Sequence, residues 1–401
     1  MLFIRQLGLK AYVDYPGAIH TRYSHALGVM HLAGRVVRSL EEGKATAKGV
    51  STNLESNLDN VMAAGFLHDI AHGPFSHAVD YALHKMTGKT HEALVEEILK
   101  GGISETLQNW GVNPPSVVQI INGNHAFPFI QEIVNGPIDS DKLDYLQRDA
   151  YHIGLRYSFD LDEFISQFRV IGEESELEGC RLGLTDSGRA VVTADLFLMI
   201  WKSMYDLVYH VQDSRIAEKM LEKAVLKNAG NEKIKESFDP RRGYLSLQDE
   251  HLFEVLGETP TAKDTIEAIR RGEVFKLASD QVFDQESLSL DTSFIAKFAG
   301  DENDRSELSD ILSQKLSEEF KIEEYGLIVD FVRSRKPSEV RLDRQIEKQK
   351  DWLRLESRSK IIKALTPETR LKVYANPKMA PFPATDALQS ALKGMIENAR
   401  F

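Results

Sequence analysis

The stretch Leu67-His68-Asp69-Ile70-Ala71-His72-Gly73-Pro74-Phe75-Ser76-His77 decides how this chain is read. Val61, Ala64, Phe66, Leu67 and Ile70 recur at helical spacing, predicting a helix over 58–71 that Gly73-Pro74 breaks. On that helix the adjacent His68 and Asp69 project about 100° apart, so both reach one cation near its end. Imidazole and carboxylate together suit a divalent transition metal: Mn, Fe, Zn, Ni or Co. Two more ligands would make a stable site. His25, in Arg22-Tyr23-Ser24-His25, is the first candidate, and Asp141, in Ile138-Asp139-Ser140-Asp141-Lys142, is the second.

The surrounding chain reads as mainly helical. Leu27, Met30, Ala33, Val36, Val37 and Leu40 form one apolar stripe at helical spacing. Residues 43–54 are polar and rich in turn formers, predicting a loop. Further helices are expected over 76–86, 91–99, from Pro114 onward, and over 138–152, 161–170 and 193–229. Residues 180–193 alternate around Asp186-Ser187-Gly188 and predict a small β-hairpin. Past 231 the pattern changes, with helices expected near 251–256 and 263–271 and strands at 326–332 and 371–375. Residues 284–304 are acidic and Ser-rich, predicting an exposed stretch. The expected architecture is a mainly α helical core over 1–229 and a smaller α+β C-terminal region over 230–401.

The chain has 401 residues, 42% of them hydrophobic and 27% charged, which is ordinary for a globular protein and excludes fibrous and low-complexity classes. No apolar run reaches the roughly 18–20 residues needed to span a bilayer, so no membrane partner is expected. No signal peptide is read at the N-terminus, and Cys180 is the only cysteine, so a cytoplasmic location is the expectation. The net charge of −12 argues against a protein that coats nucleic acid non-specifically. A local phosphate pocket is still compatible with it.

The joint pattern is more specific than any single residue: a His, then His-Asp 43 residues on, then an Asp 72 beyond that. With its flanks Gln6-Leu7, Pro16-Gly17, Thr90-His91-Glu92 and Asp141-Lys142-Leu143-Asp144-Tyr145-Leu146-Gln147-Arg148-Asp149, it resembles the HD-domain deoxynucleoside triphosphate triphosphohydrolases. Within them it looks closest to the sterile-alpha-motif and HD-domain branch and its bacterial and archaeal relatives. The resemblance covers residues 2–225. It implies the HD-domain helical fold, and one divalent metal on His25, His68, Asp69 and Asp141, with additional Mg expected beside it. It implies water attack on the α-phosphorus of a dNTP, releasing deoxynucleoside and inorganic triphosphate.

By position the resemblance assigns catalytic roles to His72, His77, Asp80 and His91. Of these, His77 fits the acid for the leaving O5′, with Asp80 behind it. Arg22 and Lys142 match phosphate-binding cations, Gln6 and Leu7 match residues along the sugar, and Asp149 matches the acceptor of the 3′-hydroxyl. Tyr145 and Tyr209 match a wall that excludes a 2′-hydroxyl. His20 and His152 receive no role, and Arg148 is read as structural. The resemblance also implies a homo-oligomer, a dimer or tetramer. Trp201 and Tyr205 stand where that branch carries Arg and His. The chain begins almost inside the Gln6-Leu7 motif, so the nucleotide-activator pocket of that branch is expected to be incomplete. Two other functions are carried alongside: an HD phosphohydrolase or phosphodiesterase acting on another nucleotide or a short oligonucleotide, and a low-turnover module binding nucleotides or single-stranded nucleic acid.

Overall fold

The computed structural model describes the chain except residues 43–47, 174–175, 241–242, 283–301, 334–339, 347–348, 365–368, 380–381 and 398–401. Most of the acidic stretch 284–304 lies outside the described residues. The principal helices are α1 (Arg22–Glu42), α2 (Lys48–Leu67), α3 (Asp80–Thr87), α4 (Ser140–His152), α5 (Gly188–Met204), α6 (Gln212–Lys227), α7 (Glu302–Glu319) and α8 (Thr385–Glu397). The strands are β1 (Phe168–Ile171), β2 (Arg181–Thr185), β3 (Lys276–Val282), β4 (Leu327–Arg333), β5 (Arg341–Ile346), β6 (Gln349–Arg354) and β7 (Thr369–Ala375). Helix thus dominates, as expected.

The α1 stripe buries Val29, Leu32, Ala33, Val36, Val37 and Leu40 against α2 and α4. Gly65 lets α1 and α2 approach closely, since a Cβ there would meet the Met30 backbone at 3.3 Å. Helix α2 departs from expectation at both ends. It starts inside the supposed loop, because Val50 and Leu54 reach the core while polar neighbours face outward. It stops at Leu67, so His68 and Asp69 lie in the turn that follows rather than on the helix. The next expected helix is also split, into a 3₁₀ turn (Ser76–Ala78) and α3. Phe75 and Ser76 cause the split: both sit at left-handed φ, 56° and 55°. That strained loop is pinned by Asp249, which accepts hydrogen bonds from the Phe75 N–H at 2.7 Å and the Arg5 N–H at 2.9 Å.

The stretch 161–170 divides into a short helix, Leu161–Ser166, and β1. An antiparallel pair does form with β2, but its other arm is β1, upstream. Asp186-Ser187-Gly188 is no hairpin turn: Ser187 caps α5 by accepting from the Ala190 N–H at 3.0 Å. The long helix expected over 193–229 is interrupted by a π-helical turn, Tyr205–Tyr209, closed by the His210 N–H donating to Tyr205 O at 2.9 Å.

One sheet runs β1-β2-β5-β6, with β2 and β5 parallel, and the other runs β3-β7-β4, antiparallel throughout. The main apolar core takes in residues from Leu7 to Tyr374. A second core joins α7 and α8 to β4 and β7 through Leu308, Leu312, Val329, Leu371, Val373 and Leu388. Buried ion pairs tie that layer to α6. Arg215 forks onto Asp330 at 2.5 and 2.9 Å, and Lys223 reaches Asp310 at 2.9 Å.

Candidate metal centre

Three separate elements converge at the turn after α2. His25 from α1 places Nε2 3.0 Å from Asp141 Oδ1, at the start of α4, and 3.8 Å from Asp69 Oδ2. His68 Nε2 lies 3.4 Å from Asp69 Oδ1 and 3.6 Å from Asp141 Oδ1. Donor atoms of His25, His68 and Asp141 all fall within 4.8 Å of one another, with Asp69 against both imidazoles. His68 Nε2 is buried without a hydrogen-bond partner among the described residues. A buried lone pair facing two carboxylates suits a cation, and nitrogen and oxygen donors in this number suit a divalent transition metal.

Local structure fixes the two imidazoles. His68 Nδ1 bonds Gly65 O at 2.8 Å, and His25 Nδ1 bonds Asp144 Oδ2 at 2.8 Å, so each presents Nε2 inward. Asp144 is in turn forked by Arg148 at 2.7 and 2.8 Å. Its closeness to α1 depends on Gly28, where a Cβ would meet Asp144 Oδ1 at 1.8 Å. Asp144 and the site role of Arg148 escaped the sequence reading. The signal was present: Asp144 follows Asp141 by three residues, on the same helical face.

The charges are strongly coupled. Burial disfavours the charged form of His25, but hydrogen bonds to Asp141 and Asp144 outweigh it and raise the imidazole to about 10. Burial likewise opposes charge on His68, and Asp69 and Asp141 reverse this. Burial would raise Asp69, yet the Arg22 guanidinium and three surrounding imidazoles hold it well below the usual carboxylate range. Asp141 is lowered in the same way: against burial, His25 and His68 dominate. An anionic pair facing two imidazoles is the electrostatic setting a divalent cation would find.

A second cluster adjoins the first. His72 Nε2 lies 3.4 Å from Asp69 Oδ1, while its Nδ1 lies 3.8 Å from Asp80 Oδ1. Asp80 Oδ2 is 3.0 Å from His77 Nδ1. Burial and the Arg22 charge lower His72 to about 4, which keeps it neutral. Burial would raise Asp80, but His72 and His77 hold it well below the usual range. The His77 side chain is 75% exposed, which leaves it open to an incoming ligand. His91 is the first residue of a helix (His91–Lys100) capped by Thr90, and its side chain lies outside the described residues.

The expected substrate ligands divide. Arg22 is buried and donates to Ser76 Oγ at 2.8 Å and to Asp69. Lys142 Nζ is held by Asp139 at 2.5 Å and by Gly136 O at 2.9 Å. Leu7 is packed in the main core. Gln6 is half-buried with Oε1 unpartnered among the described residues. Tyr145 stands between His25 and Tyr209, at ring separations of 6.5 and 5.8 Å. Asp149 is buried, accepting from the Tyr209 hydroxyl at 2.7 Å. Trp201 is a core residue, and Tyr205 packs against it and against Tyr209 at 4.5 and 5.0 Å.

Comparison with known proteins places this architecture. The HD domain model matches residues 22–163, and the HD associated region matches residues 169–392. The chain belongs to the HD-domain family and carries the HD-associated region. It is similar to the human deoxynucleoside triphosphate triphosphohydrolase SAMHD1, 30% identical over 314 residues, covering 67% of this chain and 48% of that protein. The Bacillus subtilis protein YwfO is 30% identical over 224 residues, covering 55% of this chain and 47% of its own length. The chain thus spans about half the length of these curated relatives. A crystal structure of a hypothetical protein from Aquifex aeolicus shares the fold, with a TM-score of 0.70 and 24% identity over 98% of this chain and 91% of that one. Among the described residues no helix is long and apolar enough to cross a membrane.

Proposed function

We propose that this HD-domain protein hydrolyses deoxynucleoside triphosphates at the α-phosphorus, releasing deoxynucleoside and inorganic triphosphate. The observation that carries the reading is the convergence of His25, His68 and Asp141 donors within 4.8 Å, beside Asp69 and next to the His77–Asp80 pair. Similarity to a triphosphohydrolase supports the choice of substrate. A divalent ion held by His25, His68, Asp69 and Asp141 would supply Lewis acidity, polarising a phosphoryl oxygen and acidifying water. The remaining work falls to side chains. His77, exposed and held by Asp80, delivers a proton to the leaving O5′. His72 is neutral and bridges Asp69 and Asp80. Arg22 and Lys142 bring positive charge to the phosphates in a chain whose net charge is −12. Asp149, Tyr145 and Tyr209 form the sugar side.

The test is metal analysis of the purified protein, followed by a dNTP panel with product identification. Inorganic triphosphate as the product supports the reading; orthophosphate or pyrophosphate alone overturns it. One observation favours a second reading, an HD phosphohydrolase acting on a shorter phosphate ester. Arg22, Lys142 and Arg148 each sit on a carboxylate, and Trp201 and Tyr205 occupy positions where the resembling branch has Arg and His. A monophosphate or short oligonucleotide needs fewer positive partners, and the same panel extended to these compounds separates the two. Homo-oligomer formation and a cytoplasmic location belong to the same proposal.

A further inference from the structure

His20 received no role from the sequence, yet it occupies a specific place. Its Nε2 lies 2.7 Å from Asp149 Oδ1, and both side chains are almost fully buried, at 1% and 2% exposure. The Tyr209 hydroxyl donates to the other oxygen, Oδ2, at 2.7 Å. The imidazole is stacked on His152, with ring centroids 4.2 Å apart and an interplanar angle of 14°. Its backbone is fixed as well: His20 O accepts from the Gln6 N–H at 3.0 Å, and the next residue, Thr21, forms an antiparallel bridge with Arg5.

Two facts about this arrangement point to a ligand. A buried polar atom normally has at least one hydrogen-bond partner. Asp149 takes one donor on each oxygen, His20 on one and Tyr209 on the other, and each oxygen keeps a second lone pair. Nearby, Gln6 Oε1 and His20 Nδ1 are buried and have no hydrogen-bond partner among the described residues. The sugar side of the centre therefore holds acceptor capacity that the protein does not use.

We infer that His20 is a positioning residue: by donating from Nε2 to Asp149 Oδ1 while clamped against His152, it fixes the Asp149 carboxylate as the acceptor of a ribose hydroxyl. This rests on the proposed nucleotide reading of the site and deepens it. Without the His20 donor, Asp149 would be held on one oxygen only and could turn about the Tyr209 bond. The pocket would then lose its preference for a sugar carrying a 3′-hydroxyl, while contacts to the base stayed as they were.

The test uses ligands that carry no phosphate, so it is independent of hydrolysis. Ligand-observed NMR titration of the metal-loaded protein compares each 2′-deoxynucleoside with its 2′,3′-dideoxy counterpart. The wild-type protein is expected to prefer the deoxynucleoside about tenfold, the worth of one hydrogen bond to a charged acceptor. His20→Phe keeps a ring for the stack and should abolish that ratio with the dideoxynucleoside affinity unchanged. His20→Gln, which keeps an N–H donor, should restore most of it. Equal wild-type affinities, or a full ratio in His20→Phe, overturn the inference. A second reading needs no substitution: the His20 ring nitrogens in the wild-type ¹⁵N spectrum should shift on adding deoxynucleoside and not on adding dideoxynucleoside. An unmoved signal in both titrations also overturns it. Absence of inorganic triphosphate in the dNTP panel would sink the proposed reaction and leave this ratio to be read on its own.

Discussion

Asp144 Oδ2 lies 2.8 Å from His25 Nδ1, and that bond decides which nitrogen of His25 faces the centre. The carboxylate itself is held by Arg148, so three residues in series aim one lone pair. Asp144→Asn should leave the fold intact but weaken metal affinity about 10–100-fold, the usual effect of disturbing a partner behind a ligand. Competition titration against a chelator of known strength measures this. Unchanged affinity would mean that the His25 orientation is set elsewhere.

Gly28 should be the most sensitive glycine of α1. An added methyl would meet Asp144 Oδ1 at 1.8 Å and Arg148 at 2.5 Å, so Asp144 has to move. Gly28→Ala is expected to cost about 1–3 kcal/mol of stability through overpacking, although alanine favours helix. Metal content should fall in parallel. Chemical denaturation and elemental analysis on the same preparation read both effects.

The pH dependence follows from His25, whose imidazole is raised from 6.5 to about 10. In metal-free protein its contacts to Asp141 and Asp144 stabilise fully below pH 6.5, and that contribution is lost as pH rises through about 10. A metal ion requires the neutral imidazole and must expel the proton. Metal affinity should therefore climb with pH across the same window, by up to about tenfold per unit for each proton released. Calorimetric titrations between pH 6.5 and 9.5, in buffers of different ionisation enthalpy, would count the protons. A flat affinity would show that His25 is already neutral.

Two substitutions separate binding from rate. Asp69→Ala should lose metal and turnover together. His77→Ala should keep metal and KM while kcat falls about 10²–10⁴-fold, as expected for a lost acid. The His77 side chain is 75% exposed but bonds Asp80 at 3.0 Å, so its removal should cost only the roughly 0.5–1.5 kcal/mol of one hydrogen bond. Undiminished kcat would remove His77 from the proton transfer.

The sequence was legible where a regular period or a strong cap was at work. The α1 stripe, the helix around Leu143 and Leu146, the start of a helix at Pro114 and the strands around Val329 and Val373 all carry such signals. It was misleading where tertiary contacts override local preference. Nothing in Phe75 or Ser76 announces left-handed backbone, which is held there by Asp249, 174 residues downstream. The polar start of α2 looked like a loop because only two residues, Val50 and Leu54, anchor it. The β5–β6 pair is rich in charge and has no clean alternation. At the candidate centre, residue types and spacing revealed the donors facing inward. Of the groups behind them, Asp144 and Arg148 follow Asp141 at helical steps of three and four residues, while His20 is marked only by its contact with Asp149, 129 residues on.

The π-helical turn Tyr205–Tyr209 ends where the chain stops being helical, since Val211 is extended before Gln212 starts α6. Turn and break together set two distant contacts: Tyr209 donates to Asp149 before the break, and Arg215 forks onto Asp330 after it. A change in chain length between 205 and 212 would thus be felt at once around Asp149 and at the C-terminal sheet, although it removes neither of those contacts directly.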